Sequence, residues 1–203
     1  MVQPTGPYCL LGWSFGGIVA HAVATELQQR GKQVALLAVL DTYPVCGRLS
    51  HEDVPELDER DMLIGMLDAL DYDVKSLEGE SLTFAQAVDI FRRSQESVWA
   101  NFEQCHLSAV AKILANNSHI MIDFTPGRFH GDLLLFSSTI HEPTIYQPKT
   151  PQPEDTPTSE AWEPYIDGTI ETHAIVSRHD RMMQSGALTQ IGPILAAKLE
   201  KIT

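Results

Sequence analysis

Residues 8–17 read Tyr-Cys-Leu-Leu-Gly-Trp-Ser-Phe-Gly-Gly, and this stretch carries the strongest structural signal in the chain. Its first four residues are typical of a short buried strand, and apolar residues recur at helical spacing from Ile18 to Leu27. Between them lies a G-x-S-x-G pattern centred on Ser14, in which small residues let a strand and a helix approach closely. The stretch therefore predicts a strand, a sharp turn and a helix, with Ser14 presented on the turn as a nucleophile.

The same turn predicts a place where negative charge is stabilised. The backbone N–H of Phe15 lies at the start of the predicted helix, whose positive end faces a carbonyl group bound at Ser14. We expect this N–H to be an oxyanion donor. A serine hydroxyl also needs a base, and the base needs an acid that orients it, so two further side chains are expected nearby.

Composition disfavours several classes of function. A chain of 203 residues has the length of one ordinary domain, spanning 1–203. The net charge of −13 argues against nucleic-acid binding, because a phosphate backbone would be repelled. Without an apolar run near ~20 residues or a signal-peptide pattern, we expect a cytoplasmic protein with no membrane anchor. The three cysteines are expected to be free thiols, with Cys9 in the core.

Four strand-like segments alternate with helical ones, at 8–11, 34–40, 133–137 and about 169–176. The second segment is nearly continuous in apolar residues, as expected for a parallel strand covered on both faces. This alternation predicts an α/β fold with a mostly parallel sheet, followed by a final helix over 188–199.

A long insert, 45–124, separates the second and third predicted strands. It is far longer than a crossover connection needs, and its apolar spacing predicts amphipathic helices at 62–70 and 84–102. Helical inserts above such sheets commonly form lids, so we interpret 45–124 as a helical lid insert. Residues 147–164 are rich in proline, threonine and acids, which predicts an exposed loop.

Two residues are candidates for the orienting acid. Catalytic groups gather at the carboxyl ends of parallel strands. Asp41 directly follows the second strand, so its carboxylate should emerge at the same sheet edge as Ser14. Glu142 lies just beyond the third strand and is the alternative.

Eight histidines are candidates for the base. His179 follows the fourth strand, on a loop from which it can reach across the strand ends to Ser14. The chain order serine, aspartate, histidine is also the order that this fold class uses. His179 is therefore our choice. The others lie within helices, in the insert, beside the third strand or inside the fourth: His21, His51, His106, His119, His130, His141 and His173.

With these residues identified, the chain resembles the thioesterase domains found at the end of nonribosomal peptide and polyketide synthases, members of the α/β-hydrolase superfamily. The matching segments are Gly-Trp-Ser-Phe-Gly-Gly at 12–17, Leu-Asp-Thr-Tyr-Pro at 40–44, Gly-Asp-Leu-Leu-Leu-Phe at 131–136, Trp162 with Pro164, and His173 leading to His179. The family takes its acid after the strand that Asp41 follows, which weakens Glu142. The resemblance implies an α/β-hydrolase-type sheet with flanking helices and a helical lid.

The resemblance also implies an activity. Members release an acyl or peptidyl chain from the phosphopantetheine thioester of a carrier domain, through an acyl-serine, by hydrolysis or cyclisation. For this chain it implies a triad of Ser14, Asp41 and His179, with the N–H of Phe15 as oxyanion donor and no metal or bound cofactor. The expected partner is an acyl or peptidyl carrier protein, and the expected oligomeric state is a monomer.

Two features depart from the family pattern. Family members carry several more strands and a helix before the nucleophile strand, and these supply a second oxyanion N–H. We therefore expect a sheet whose N-terminal strands are missing. Ser177 and Arg178 precede His179, whereas the family usually has a glycine two residues before the histidine. The alternative interpretations are a carrier-independent esterase or lipase of the same fold and a non-catalytic fragment.

Overall fold

The structure is a computed structural model that describes residues 4–45, 50–53, 59–68, 72, 83–93, 104–141 and 157–202. The chain divides into two units, each described by itself below. The first comprises Met1–Leu49, Met121–Glu142 and Pro151–Thr203, and the second comprises Ser50–Ile120 and Pro143–Thr150. The residues of the predicted site that are described all belong to the first unit.

The described residues of the first unit contain a four-stranded parallel sheet, with its strands side by side in chain order. They are β1 (Tyr8–Trp13), β2 (Val34–Leu40), β3 (Leu133–Ser138) and β4 (Ile170–Ile175). The last residues of β1 and β2, Trp13 and Leu40, pair with each other. Because of this register, Ser14 and Asp41 leave neighbouring strands at the same level. The predicted α/β class with a mostly parallel sheet is confirmed.

Five α-helices occur among the described residues of the two units: α1 (Phe15–Gln29), α2 (Glu59–Asp68), α3 (Phe84–Arg93), α4 (Gln104–Asp123) and α5 (Ser185–Leu199). Short 3₁₀ helices occur at His51–Asp53, Ser159–Tyr165 and His179–Arg181. Gly31 has a φ of 69°, a left-handed conformation that suits glycine, and lies just beyond the C-cap of α1. Gly31 therefore ends the first helix.

Apolar side chains of the central strands alternate between the two faces of the sheet. Leu37 and Val39 of β2 pack on one face with Ile18 and Ala24 of α1. On the other face, Ala38 and Leu40 belong to a cluster that includes residues of α5. Strands buried on both faces need apolar residues at every position, which explains the unbroken apolar run of β2.

Several predictions of local structure need correction. Cys9 is exposed, not in the core, and Leu11 on the same side of β1 is 46% exposed. The reason is that β1 is an edge strand among the described residues and this side of it is not covered. Of the predicted exposed loop 147–164, residues 147–156 lie outside the described part of the chain, and the remainder contains a 3₁₀ helix whose Trp162 is fully buried. The final helix begins at Ser185, earlier than expected, and α4 was not predicted.

In the second unit, α2 buries Leu63, Met66 and Leu67, as its apolar spacing predicts. The predicted helix over 84–102 is observed from Phe84 to Arg93, and residues 94–103 lie outside the described part of the chain. Whether the insert 45–124 acts as a lid stays a prediction. Among the described residues, no helix combines the length and the apolar character that crossing a bilayer requires.

Candidate active site

Ser14 occupies the turn between β1 and α1 in a strained backbone conformation. Its φ is 54° and its ψ is −130°, values that residues other than glycine rarely adopt. The N–H of Ser14 donates to the carbonyl oxygen of Leu40 at 3.1 Å, and its own carbonyl accepts from the N–H of Gly17 at 2.9 Å. The predicted strand, turn and helix are confirmed, and these bonds hold the serine outside both elements.

The glycines of the turn have different roles. A Cβ atom on Gly12 would lie 2.0 Å from the carbonyl oxygen of Gly16, so no side chain fits there. A Cβ on Gly17 would lie 2.2 Å from the Thr42 hydroxyl oxygen. A Cβ on Gly16 would meet nothing within 4 Å. Close packing therefore requires glycine at positions 12 and 17, and the expectation that Gly16 is needed for space is wrong.

Asp41 follows β2 directly and also has a left-handed backbone, with a φ of 47°. Its side chain is 9% exposed. The carboxylate accepts two hydrogen bonds from Ser138, from the N–H at 2.9 Å and from the hydroxyl at 2.6 Å. Burial raises the pKa of Asp41, but the hydrogen bonds from His179 and Ser138 outweigh it, so the pKa lies below its ordinary value. Asp41 is therefore held as a carboxylate.

His179 lies between the two other predicted residues. Its Nε2 is 2.9 Å from the Ser14 hydroxyl oxygen, and its Nδ1 is 2.9 Å from Oδ2 of Asp41. The side chain is 47% exposed. With a proton on Nδ1, the imidazole donates to Asp41 and turns an unprotonated Nε2 toward the serine. This arrangement can remove a proton from Ser14 and return it to a leaving group.

The loop that carries His179 is stabilised by the residues on either side of it. Arg178 and Asp180 form a bidentate ion pair, with 3.0 Å from Nε to Oδ1 and 2.7 Å from Nη2 to Oδ2. Their side chains are only 11% and 21% exposed. A largely buried, bidentate pair of this kind restrains the backbone between the two residues. Arg178 thus has a structural role beside the predicted base.

A chain of hydrogen bonds supports the turn from behind. The indole N–H of Trp162 donates to the carbonyl of Thr42 at 2.7 Å, and the Thr42 hydroxyl donates to the carbonyl of Ser14 at 2.9 Å. Sequence reasoning missed both roles. Gly17 and Thr42 lie so close together that only glycine leaves room at position 17 for the Thr42 hydroxyl.

Tyr43 lies close to the acid. Its hydroxyl is 2.5 Å from that of Ser137, and burial, with a smaller contribution from Asp41, raises the pKa of Tyr43 to about 12. The residue therefore stays neutral.

The other candidates for acid and base are placed elsewhere or outside the described residues. Glu142 and the side chain of His106 lie outside them. His21 is buried against Trp162, and His141 is exposed. The remaining histidines have other partners: His130 with Asp167, His173 with Glu171, and His51 with His119.

The N–H of Phe15 lies at the start of α1, as the sequence predicts. Its role as an oxyanion donor stays a prediction. Within the described ranges, no group of three or more histidine, cysteine, aspartate or glutamate side chains is placed to hold a metal ion.

Comparison with known proteins assigns the chain to a family. The sequence matches the family described as Thioesterase domain over residues 1–199. It is 38% identical over 201 residues to a dimodular nonribosomal peptide synthase of Bacillus subtilis (strain 168), a match that covers 99% of this chain and 8% of that protein. The chain therefore spans only a small part of this relative.

Solved structures show the same fold. The Vlm2 thioesterase domain is similar with a TM-score of 0.64 and 21% identity, covering 91% of this chain and 66% of that one. SrfTE, a thioesterase domain described in the cyclisation of surfactin, is similar with a TM-score of 0.58 and 19% identity, covering 98% of this chain and 70% of that one. The α/β-hydrolase-type fold is confirmed, and the chain belongs to the thioesterase domain family.

Proposed function

We propose that this chain releases an acyl or peptidyl chain from the phosphopantetheine thioester of a carrier domain, through an acyl-Ser14 intermediate, in nonribosomal peptide biosynthesis. The observation that carries the proposal is the pair of 2.9 Å contacts of His179, one to Ser14 and one to Asp41. Membership of the thioesterase family and the similarity to a peptide synthase support the substrate class.

The first half of the reaction forms the acyl-enzyme. His179 Nε2 takes the hydroxyl proton of Ser14 as the Oγ atom attacks the thioester carbonyl. The carbonyl oxygen becomes an oxyanion, and the N–H of Phe15 donates to it. As the C–S bond breaks, the protonated His179 gives its proton to the departing pantetheine thiol. Asp41 keeps the imidazole in the correct tautomer and stabilises its positive charge.

The second half removes the chain from Ser14. Water, or an amine or hydroxyl group of the bound chain, gives a proton to His179 Nε2 and attacks the ester carbonyl. Breaking the bond to Oγ returns the proton to Ser14 and yields a free acid or a cyclic product. The helices of the insert 45–124 are proposed to shield the ester from water. We propose that this activity takes place in the cytoplasm.

Intact-mass spectrometry of the protein with an acyl-pantetheine thioester tests the proposal. We expect the mass to rise by the mass of the acyl group, and Ser14→Ala to show no adduct. Ser118→Ala is the matched control, because Ser118 lies on α4 and its hydroxyl donates to the Leu114 carbonyl. An adduct that persists in Ser14→Ala would contradict the assignment.

Kinetic preference separates this function from its alternatives. A carrier-linked thioesterase should acylate faster from a pantetheine thioester than from an oxyester with the same acyl group. The reverse preference would indicate a carrier-independent esterase. A folded protein that never labels at Ser14, even with a fluorophosphonate, would indicate a non-catalytic domain.

A further inference from the structure

Trp13 connects the serine turn to the loop that carries His179. Its indole Nε1–H donates a hydrogen bond to the backbone carbonyl oxygen of His179, with 3.0 Å between the two atoms. The indole and the imidazole also pack together, with ring centroids 5.8 Å apart and an angle of 35° between the planes. Since Trp13 directly precedes Ser14, one side chain spans the distance between the two groups that exchange a proton.

The sheet determines where Trp13 lies. Trp13 is the last residue of β1 and pairs with Leu40 of β2. The next residue, Ser14, donates its N–H to the carbonyl of the same Leu40. The half-buried indole packs against the core cluster on the α5 side of the sheet. The position of the indole N–H is therefore set by a regular, packed part of the fold.

The loop of His179 lacks this regular support. His179 opens a 3₁₀ helix of three residues beyond the end of β4. The bonds from its imidazole to Ser14 and Asp41 act through side-chain torsions, and the Arg178–Asp180 ion pair joins two residues of the loop itself. The contact from Trp13 acts on the backbone carbonyl itself. This hydrogen bond therefore ties the loop to the sheet at His179, the residue whose position the proton transfer depends on.

We propose that Trp13 is a positioning residue that sets the distance between the Ser14 hydroxyl and the His179 imidazole, and thereby the rate of acyl transfer. The inference rests on the function proposed above. Reacting groups must be held in close contact, and a displacement of about 1 Å costs about 100-fold in rate. Substrate binding is not affected in the same way, because Trp13 acts on the base rather than on the acyl chain.

Two variants separate positioning from general stability of the loop. Trp13→Phe keeps an aromatic ring and removes the N–H donor. Gln190→Met is the matched control. The Gln190 side chain on α5 accepts a hydrogen bond from the N–H of Val176 and donates one to its carbonyl, and Val176 lies on the same loop as His179 but outside the triad. The rate constant of acylation and the half-saturating thioester concentration are measured by intact mass over time. The temperature is one at which melting curves show every variant to be folded.

We expect Trp13→Phe to lower the acylation rate constant about 10- to 100-fold and to change the half-saturating concentration by less than about twofold. Gln190→Met should change both by less than about twofold. Three outcomes would overturn the positioning role and leave the triad standing. They are an unchanged rate constant in Trp13→Phe, an effect of that variant confined to the half-saturating concentration, and equal losses of rate in the two variants. Acylation that survives Ser14→Ala would instead overturn the proposed function.

Discussion

Ser138 donates two hydrogen bonds to the carboxylate of Asp41, from its N–H to Oδ1 at 2.9 Å and from its hydroxyl to Oδ2 at 2.6 Å. Ser138 is the last residue of β3, whereas Asp41 follows β2. The neighbouring strand therefore orients the acid. Because Oδ2 also faces Nδ1 of His179 at 2.9 Å, the Ser138 hydroxyl fixes the oxygen that holds the base.

Ser138→Ala should slow acylation about tenfold, since a hydrogen bond to a charged group contributes about 1.5–3 kcal/mol and its loss frees the carboxylate to rotate. Intact mass followed over time measures the rate. Ser138→Thr keeps a hydroxyl donor at this position and should recover most of it. Equal rates in Ser138→Ala and the parent protein would mean that the hydroxyl does not orient Asp41.

Asp41→Asn should lower the acylation rate about 10⁴-fold, the loss that this change causes in a serine protease, because the amide no longer selects the tautomer that leaves Nε2 unprotonated. Asparagine suits this position because it tolerates the left-handed φ of 47°. Circular dichroism should therefore show an intact fold. Normal turnover in this variant would return attention to Glu142.

Gly12→Ala should destabilise the protein by about 3 kcal/mol in urea unfolding, because the new methyl group cannot be accommodated without moving backbone. Its Cβ would lie 2.0 Å from the carbonyl oxygen of Gly16. Gly16→Ala is the matched control and should keep or raise the free energy of unfolding by up to about 1 kcal/mol, since its Cβ meets open space and alanine favours a helix. Similar losses in both variants would refute this account of the turn.

His21 should make the native state less stable as the pH falls. Burial lowers the pKa of His21, and the hydrogen bond to the Tyr165 carbonyl offsets only part of this effect. The unfolded chain, with a pKa of about 6.5, therefore takes up the proton first, so the free energy of unfolding declines as the pH drops below that value.

Urea unfolding between pH 5 and 7 measures this dependence. His21→Gln, which keeps an N–H donor but does not titrate, should reduce the slope of unfolding free energy against pH by up to about 1.4 kcal/mol per pH unit. His141→Gln, at an exposed histidine, is the control. An equal change of slope in both variants would assign the effect to something other than burial of His21.

Local pattern was enough to predict the sheet and the order of the three site residues along it. The apolar run of β2 predicts a strand covered on both faces, and Asp41 follows that strand directly. Ser14 and His179 could be placed in the same way, because parallel strands bring their carboxyl ends to one edge. Such predictions need only the spacing of apolar residues within one segment and the identity of the residue that follows it.

Contacts between distant segments decided the rest. Three hydrogen bonds join residues from different parts of the chain. They run from the Ser138 hydroxyl to the Asp41 carboxylate, from the Trp162 indole to the Thr42 carbonyl, and from the Trp13 indole to the His179 carbonyl. The exposure of Cys9 likewise depends on what covers β1, not on the apolar residues around it in sequence. Hydrogen bonds act over about 3 Å, so their partners are settled only when packing has brought the strand ends together.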